Sequence, residues 1–382
     1  MTSSASAKAG IGQPVGSEDG ALLGRAAPSE VARLRSDPVK VDLMTLGVPL
    51  RRAAALATDA AAARFDGLVV TEGGRTAYLT CAAAALTADL HLSTGIAVAF
   101  PRSPMVTAQV AWELADASGG RFRLGLGTQV RAHIERRYGS SFDHPGPRLR
   151  DYVNAVRACF AAFRGSEPLA FEGEFYRMSL LPAQWAPGMI AVDDPPIDVA
   201  AVNPYMLRLA GEVADGVHVH PLNHPAYLQE VVLPNVLAGR QRAGREDHSH
   251  LTVPVFTAVG ETEAERARWR EAARGQVAFY GSTPNYGFLF ELLGREGTTE
   301  KLRARQKAGD IPGMINVIDD DLLDHFLVSG TFDEVPSLLV ARYGGIADRV
   351  VLYFAGAAWN EDPEQLARWG EIAWRVQQEQ PA

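Results

Sequence analysis

Leu90–Gln129 reads LHLSTGIAVAFPRSPMVTAQVAWELADASGGRFRLGLGTQ, and this stretch decides the fold. Leu90–Phe100 is apolar and halts at Pro101, the pattern of a buried strand running into a loop. Pro104 suits the first turn of a helix, where a backbone N–H needs no partner. Val106, Val110 and Leu114, with Trp112 and Ala115, recur at helical spacing and predict the buried face of that helix. Ser118-Gly119-Gly120 ends it, because glycine reaches the backbone angles of a C-terminal cap. Arg121–Leu126 returns as a second buried strand and finishes in Gly127-Thr128-Gln129. Strands that stop at small and polar residues are how α/β proteins place ligand contacts.

The same alternation continues along the chain. Strand candidates are Val41–Leu46, Gly67–Thr71, Leu90–Phe100, Phe122–Gly127, Ile197–Val202, Gly216–His220, Thr252–Val259 and Arg349–Phe354. Each leads to a helical pattern, which implies parallel strands covered on both faces. Eight such units predict an α/β fold, a closed (β/α)8 TIM barrel whose first strand pairs with its last. The competing architecture is an open dinucleotide-binding sheet, with Gly125-Leu126-Gly127 as its fingerprint. The third glycine of that fingerprint is missing, and Arg131–Arg137 does not continue it. Residues 1–38, rich in Ser, Ala and Gly, read as a disordered extension in which only SEVARLRS has helical character. Residues 39–382 then form one barrel domain. Two insertions interrupt it, residues 167–194 (a hairpin at LAFEGEFYRMS and a Pro-rich run) and residues 280–321. Loops of this length in a barrel are usually lids, so both are expected over or beside the C-terminal mouth.

A net charge of −8 argues against a nucleic-acid or anionic-membrane partner and leaves a small-molecule substrate. No apolar run is long enough to cross a bilayer and no signal-peptide block is present, so a cytoplasmic protein is expected. Cys81 and Cys159 are too few for a disulfide framework and read as small buried hydrophobes.

In a barrel of this type the site lies at the C-terminal strand ends. Those ends carry Thr45; Thr71-Glu72-Gly73; Gly95-Ile96; Gly127-Thr128-Gln129; Asn203-Pro204-Tyr205-Met206; His218 and His220; and Val259-Gly260. The set is small and polar enough for a planar ring and a phosphate, and it contains no Ser/His/Asp order, paired Cys or HExxH. Gly95-Ile96 within a strand reads as a bulge or a close approach of another group. Asn203 and Pro204 suit a helix N-terminus, whose free N–H groups also bind phosphate. His133 and Glu135 lie among Arg131, Arg136 and Arg137, a charge cluster that alone would mean a solvated helical face. His218 and His220, two apart, share one face, either the barrel interior or the helix layer. His220 and His224 lack a third ligand, so no metal is expected.

These segments also carry a family resemblance. VDLMT, FDGLVVTE, the Gly95-Ile96 strand with FPRSP, GGRFRLGLGTQ, QVRAHIERRYG, FEGEFY, IDVAAVNPYMLRLAGEVADGVHVHP, AFYGSTPNY and VSGTFDEVPSLLVARYGG follow one another from Val41 to Phe354. Together they resemble the luciferase-like flavin and deazaflavin oxidoreductases. HIERRYG and FYGSTPNY resemble an actinobacterial subgroup of deazaflavin-dependent members.

The resemblance implies a bacterial-luciferase-like barrel with a non-prolyl cis peptide at Gly95–Ile96. It implies a cofactor held by Thr45, Thr71, Gly95, Ile96, Gly127, Thr128, Gln129, Asn203, Pro204, Tyr205 and Met206. Coenzyme F420, a hydride-carrying deazaflavin, is the leading cofactor. FMN is the alternative, in a monooxygenase that uses O2 and a flavin reductase partner; a barrel without cofactor is the third reading. A homodimer is compatible with each. The chain departs from many deazaflavin enzymes in having Gly73 where they follow the acid with His, and Gln129-Val130 where they carry Glu. Glu72, His133 and His220 remain as proton partners, in that order.

Overall fold

The computed structural model describes residues 38–379. Residues 1–37, with most of the expected extension and the SEVARLRS stretch, lie outside the described residues. The strands in chain order are β1 Lys40–Thr45, β2 Gly67–Val70, β3 His91–Thr94, β4 Ala97–Val98, β5 Phe122–Gly127, β6 Phe171–Glu172, β7 Arg177–Met178, β8 Ile197–Ala201, β9 Gly216–Val219, β10 His250–Val259, β11 Leu327–Gly330 and β12 Arg349–Leu352. Eight of them close in the order β1-β2-β3-β5-β8-β9-β10-β12, every neighbour parallel, with β12 returning to β1. The closing register is Lys40↔Arg349 to Leu43↔Leu352, so the barrel expected from the sequence forms.

Two strand candidates differ in detail. Leu90–Phe100 is not continuous: it breaks at Gly95–Ile96 into β3 and β4, and β5 pairs with both pieces. β10 is ten residues long, more than the barrel wall needs. Its first half lies between β9 and β12, and Phe256–Val259 runs on beyond them to pair with β11. That added strand was not among the sequence candidates. It meets the hydrogen-bonding demand of a strand that overshoots its sheet.

The helix Pro104–Ala117 starts as expected, with Ser103 accepting from the Val106 N–H at 3.2 Å. Its buried face differs from the expectation. Val106 is exposed, while Thr107, Ala108, Ala111, Trp112, Leu114 and Ala115 are buried. The alanines allow close packing, and Trp112 fills volume against Phe160 and Phe163 of the helix Pro145–Arg164, so the buried face follows fit more than hydropathy.

Inside the barrel, the N-terminal layer is charged. Asp42 on β1 accepts two hydrogen bonds from Arg349 on β12, at 2.5 and 2.6 Å. Asp198 on β8 accepts two from Arg123 on β5, at 2.7 and 2.8 Å. Glycine makes room for each pair: a Cβ on Gly67 would sit 2.6 Å from Asp42 Oδ1, and one on Gly216 2.4 Å from Asp198 Oδ1. Burial holds the neighbouring His91 well below the usual histidine range, and Arg349 and Arg123 add to that effect. A buried pair contributes little net stability, but removing one partner strands the other charge. Arg349→Met should therefore lower unfolding free energy by about 3 kcal/mol in urea titration, and adding Asp42→Leu should recover part of the loss. A single substitution as stable as the parent would contradict this.

Candidate active site

The C-terminal mouth has two unlike halves. Over β3, β5 and β8 it is lined by small residues, Gly95, Gly127 and Ala200. The Gly95–Ile96 peptide is cis, as the resemblance implied. Thr94 stitches the break in the ladder: its hydroxyl donates to Gly125 O at 2.7 Å and accepts from Gly125 N–H at 2.9 Å. A Cβ on Gly95 would lie 2.4 Å from Val69 Cγ1 and 2.7 Å from His218 Cε1. One on Gly127 would lie 2.8 Å from Ile96 Cδ1 and 3.4 Å from the Ala200 methyl. These contacts place Gly95, Ile96, Gly127 and Ala200 side by side as a shallow floor. They also settle the face of His218, which points into the barrel beneath Gly95.

Two polar residues border this floor: Thr71, which follows β2, and His218 on β9. The Thr71 hydroxyl is buried without a partner. His218 is only 6% exposed, and burial pushes its imidazole down to about 4, with the Asp198 carboxylate partly opposing. Thr45 is buried at the end of β1, where its carbonyl accepts from the Thr71 N–H at 2.8 Å.

The rim residues are held by local bonds. Thr128 donates to Gln129 O at 3.0 Å, and the Gln129 side chain accepts from Val130 N–H at 2.9 Å. Gln129 has a φ of +59°, a left-handed conformation uncommon outside glycine. Asn203 caps the helix Pro204–Val213 by accepting from Met206 N–H at 3.0 Å. Pro204 has no N–H to give, which leaves the Tyr205 N–H of that first turn for a ligand. The exposed Tyr205 ring lies against Gly146, where a Cβ would meet its Cε1 at 2.4 Å.

Glu72 is nearly buried and both its oxygens are engaged. Oε1 accepts from Arg102 Nη2 at 2.5 Å; Oε2 accepts from Arg102 Nη1 at 3.0 Å and from Val98 N–H at 2.9 Å. It ties the end of β2 to the segment after the cis peptide. His133 is exposed on the short helix Arg131–Arg136, beside an Arg131–Glu135 pair at 2.6 Å. Arg137 donates to the Gly73 carbonyl. The structure thus brings Gly95, Ile96, Gly127 and His218 together, sets Thr71 beside Gly95 at the end of β2, and leaves His133 on the solvent side.

The other half of the mouth is aromatic. His220 follows β9 on the same face as His218 and is half-buried. Its Nδ1 accepts from Leu222 N–H at 3.0 Å, so the neutral ring carries its proton on Nε2. Tyr280 and Tyr286, from the second insertion, pack against it with ring centroids at 4.7 Å each. The Tyr280 and Tyr353 hydroxyls are 2.8 Å apart. His224 is directed elsewhere: its Nδ1 accepts from Tyr227 N–H, and its Nε2 lies 3.1 Å from Leu289 O. The first insertion carries the β6–β7 hairpin, held by Asp151 accepting from the Phe175 and Tyr176 N–H groups. Sequence reasoning missed Arg102 and Tyr353. Arg102 stands in FPRSP, just beyond the apolar run that halts at Pro101, and Tyr353 stands within the strand candidate Arg349–Phe354.

Comparison with known proteins agrees with this fold. Residues 32–349 match the family model described as luciferase-like monooxygenase. An uncharacterized protein of Mycobacterium tuberculosis is 39% identical over 310 residues, covering 80% of this chain and 91% of its own. The 5,10-methylenetetrahydromethanopterin reductase of Archaeoglobus fulgidus is 30% identical over 259 residues, 65% of this chain and 72% of its own. The structure of the coenzyme F420 dependent tetrahydromethanopterin reductase of Methanopyrus kandleri superposes with a TM-score of 0.70 at 21% identity, covering 89% of this chain and 99% of that one.

The buried histidines make stability depend on pH. In an unfolded chain His218 would titrate near 6.5; in the fold it titrates near 4. Between those values the unfolded chain binds a proton that the native state refuses, so stability falls as pH drops through this window. His218 alone should cost about 2 kcal/mol at pH 5 relative to pH 7. Urea midpoints at both values should therefore drop less in His218→Asn than in the parent. An equal drop would mean that His218 takes up its proton in the folded state.

Proposed function

Because the chain belongs to the luciferase-like monooxygenase family, we propose that it is an oxidoreductase transferring hydride between a bound deazaflavin, coenzyme F420, and a small organic substrate. The observation that carries this reading is the floor of Gly95, Ile96, Gly127 and Ala200, with the partnerless Thr71 hydroxyl at its edge and the buried His218 imidazole beneath Gly95. A flat ring with polar edges fits a surface of small residues bordered by an unused hydroxyl. When bound, the deazaflavin supplies the hydride. The chain supplies the flat seat, the orientation and shelter from water.

Thr128, Gln129 and the Asn203-Pro204-Tyr205-Met206 turn are the residues assigned to its phosphate, the helix terminus contributing the Tyr205 N–H. Asn203 acts by fixing that turn, since its carbonyl oxygen is used in the cap. Glu72 is assigned a positioning role, because Arg102 and Val98 already engage both its oxygens. Of the proton-partner candidates, His220 faces the substrate side of the mouth, beside Tyr280 and Tyr286. F420 is preferred to FMN because HIERRYG and FYGSTPNY resemble the deazaflavin-dependent subgroup, and a relative 30% identical to this chain is named a reductase and not a monooxygenase.

Titrating the purified protein with each cofactor, followed by visible absorption, tests this reading. Saturable binding of F420 and none of FMN is expected; FMN binding alone would favour the monooxygenase. Thr128→Glu places a charge beside the phosphate and should weaken F420 binding at least about tenfold. Unchanged affinity would remove Thr128 from the site.

A further inference from the structure

The aromatic half of the mouth has its own chemistry. Three elements converge there: His220 after β9, Tyr353 after β12, and Tyr280 with Tyr286 from the insertion. Both strand ends point inward. His220 shares the face of His218, which contacts Gly95 across the barrel, and Tyr353 shares the face of Arg349, which reaches Asp42. Tyr280 bridges them, its ring on His220 and its hydroxyl on Tyr353.

Counting protons defines what this cluster offers. The two tyrosine hydroxyls carry two O–H groups, and their mutual 2.8 Å bond uses one. One O–H is left over, and Tyr280, the half-buried member, is the one placed to present it; Tyr353 is 9% exposed. His220 adds an Nε2–H, because Leu222 occupies Nδ1. Burial pushes both tyrosine hydroxyls up and His220 down to about 3, so all three groups are neutral at pH 7. Among the described residues, no ion pair and no stacked guanidinium involves these rings.

We propose that His220, Tyr280 and Tyr353 form a charge-free, two-donor subsite that takes the carbonyl oxygen of an uncharged substrate, with Tyr286 as an aromatic wall. A carbonyl oxygen has two lone pairs and can accept from both donors. A carboxylate or phosphate would lose its hydration here without meeting a cation, which is a large penalty. The substrate class is therefore a neutral ketone, enone or amide. This deepens the oxidoreductase reading and rests on it for the role of the opposite, small-residue half.

The subsite can be tested without turnover. The probe is cyclohex-2-enone, with its carbonyl stretch followed by infrared difference spectroscopy as it is titrated into the full-length protein. The band should move to lower wavenumber on binding. Tyr280→Phe and the Tyr280→Phe/Tyr353→Phe double variant should lose much of that shift and bind the probe about tenfold more weakly. His220→Gln, which keeps an N–H donor, should retain more of the shift than His220→Leu. A band unmoved by binding, variants indistinguishable from the parent, or equal affinity for cyclohexanecarboxylate would each overturn the proposal. F420 titration of the same samples separates the two readings. Normal F420 binding with no carbonyl shift sinks the subsite alone, whereas a carbonyl shift without F420 binding supports the subsite and sinks the cofactor.

Discussion

A barrel exists only if its first and last strands meet in register, and here a buried ion pair holds that meeting. Asp42 and Arg349 face each other across the β1–β12 seam, with Gly67 leaving the space they need. The pair is better understood as a register device than as a source of stability, since its Coulombic gain is offset by desolvation. A slip of one residue would bury Arg349 against the helix layer and turn Tyr353 away from the mouth. Everything at the rim depends on this register, including which side chains of β12 and β10 look inward. Arg123 and Asp198 do the same work on the far side of the barrel.

Above this charged layer the barrel sorts its upper end by side-chain size. Gly95 after β3, Gly127 at the end of β5 and Ala200 near the end of β8 line one half, and a Cβ added at either glycine would collide with a neighbour. β9 and β12 end in His220 and Tyr353, completed by tyrosines that the barrel strands do not supply. One half offers a surface of small residues; the other offers neutral donors on aromatic rings. Glu72, which sequence reasoning placed first among acids, belongs to the scaffold of the first half. Its bonds to Arg102 and Val98 fasten the segment that follows the Gly95–Ile96 peptide.

The barrel was legible because its signals are periodic and local. Eight apolar runs, each stopping at small or polar residues, specify parallel strands whatever packs around them. The Asn203 cap and the Ser103-Pro104 helix start were likewise readable, since capping depends on neighbours in sequence. What escaped depends on distance. The partner of Glu72 lies 30 residues away and that of Tyr353 lies 73 away, and no pattern in the chain announces either contact. Val106 misled for a related reason: hydropathy marked it as core, but it is the small Ala108, Ala111 and Ala115 that are buried. β11 was invisible because it exists to serve the surplus length of β10, which only the assembled wall reveals.

The seam also has a temporal side. Asp42 and Arg349 are 307 residues apart in sequence, so the contact that closes the wall is among the most non-local in the chain. During synthesis β1 emerges early and stays without its second neighbour until β12 has left the ribosome. Over that interval its outer backbone edge is unpaired, a ready template for another chain. An acidic group set in such an edge discourages it from joining a like strand, because two copies would face charge against charge. The residue that locks the finished wall therefore also guards the unfinished one.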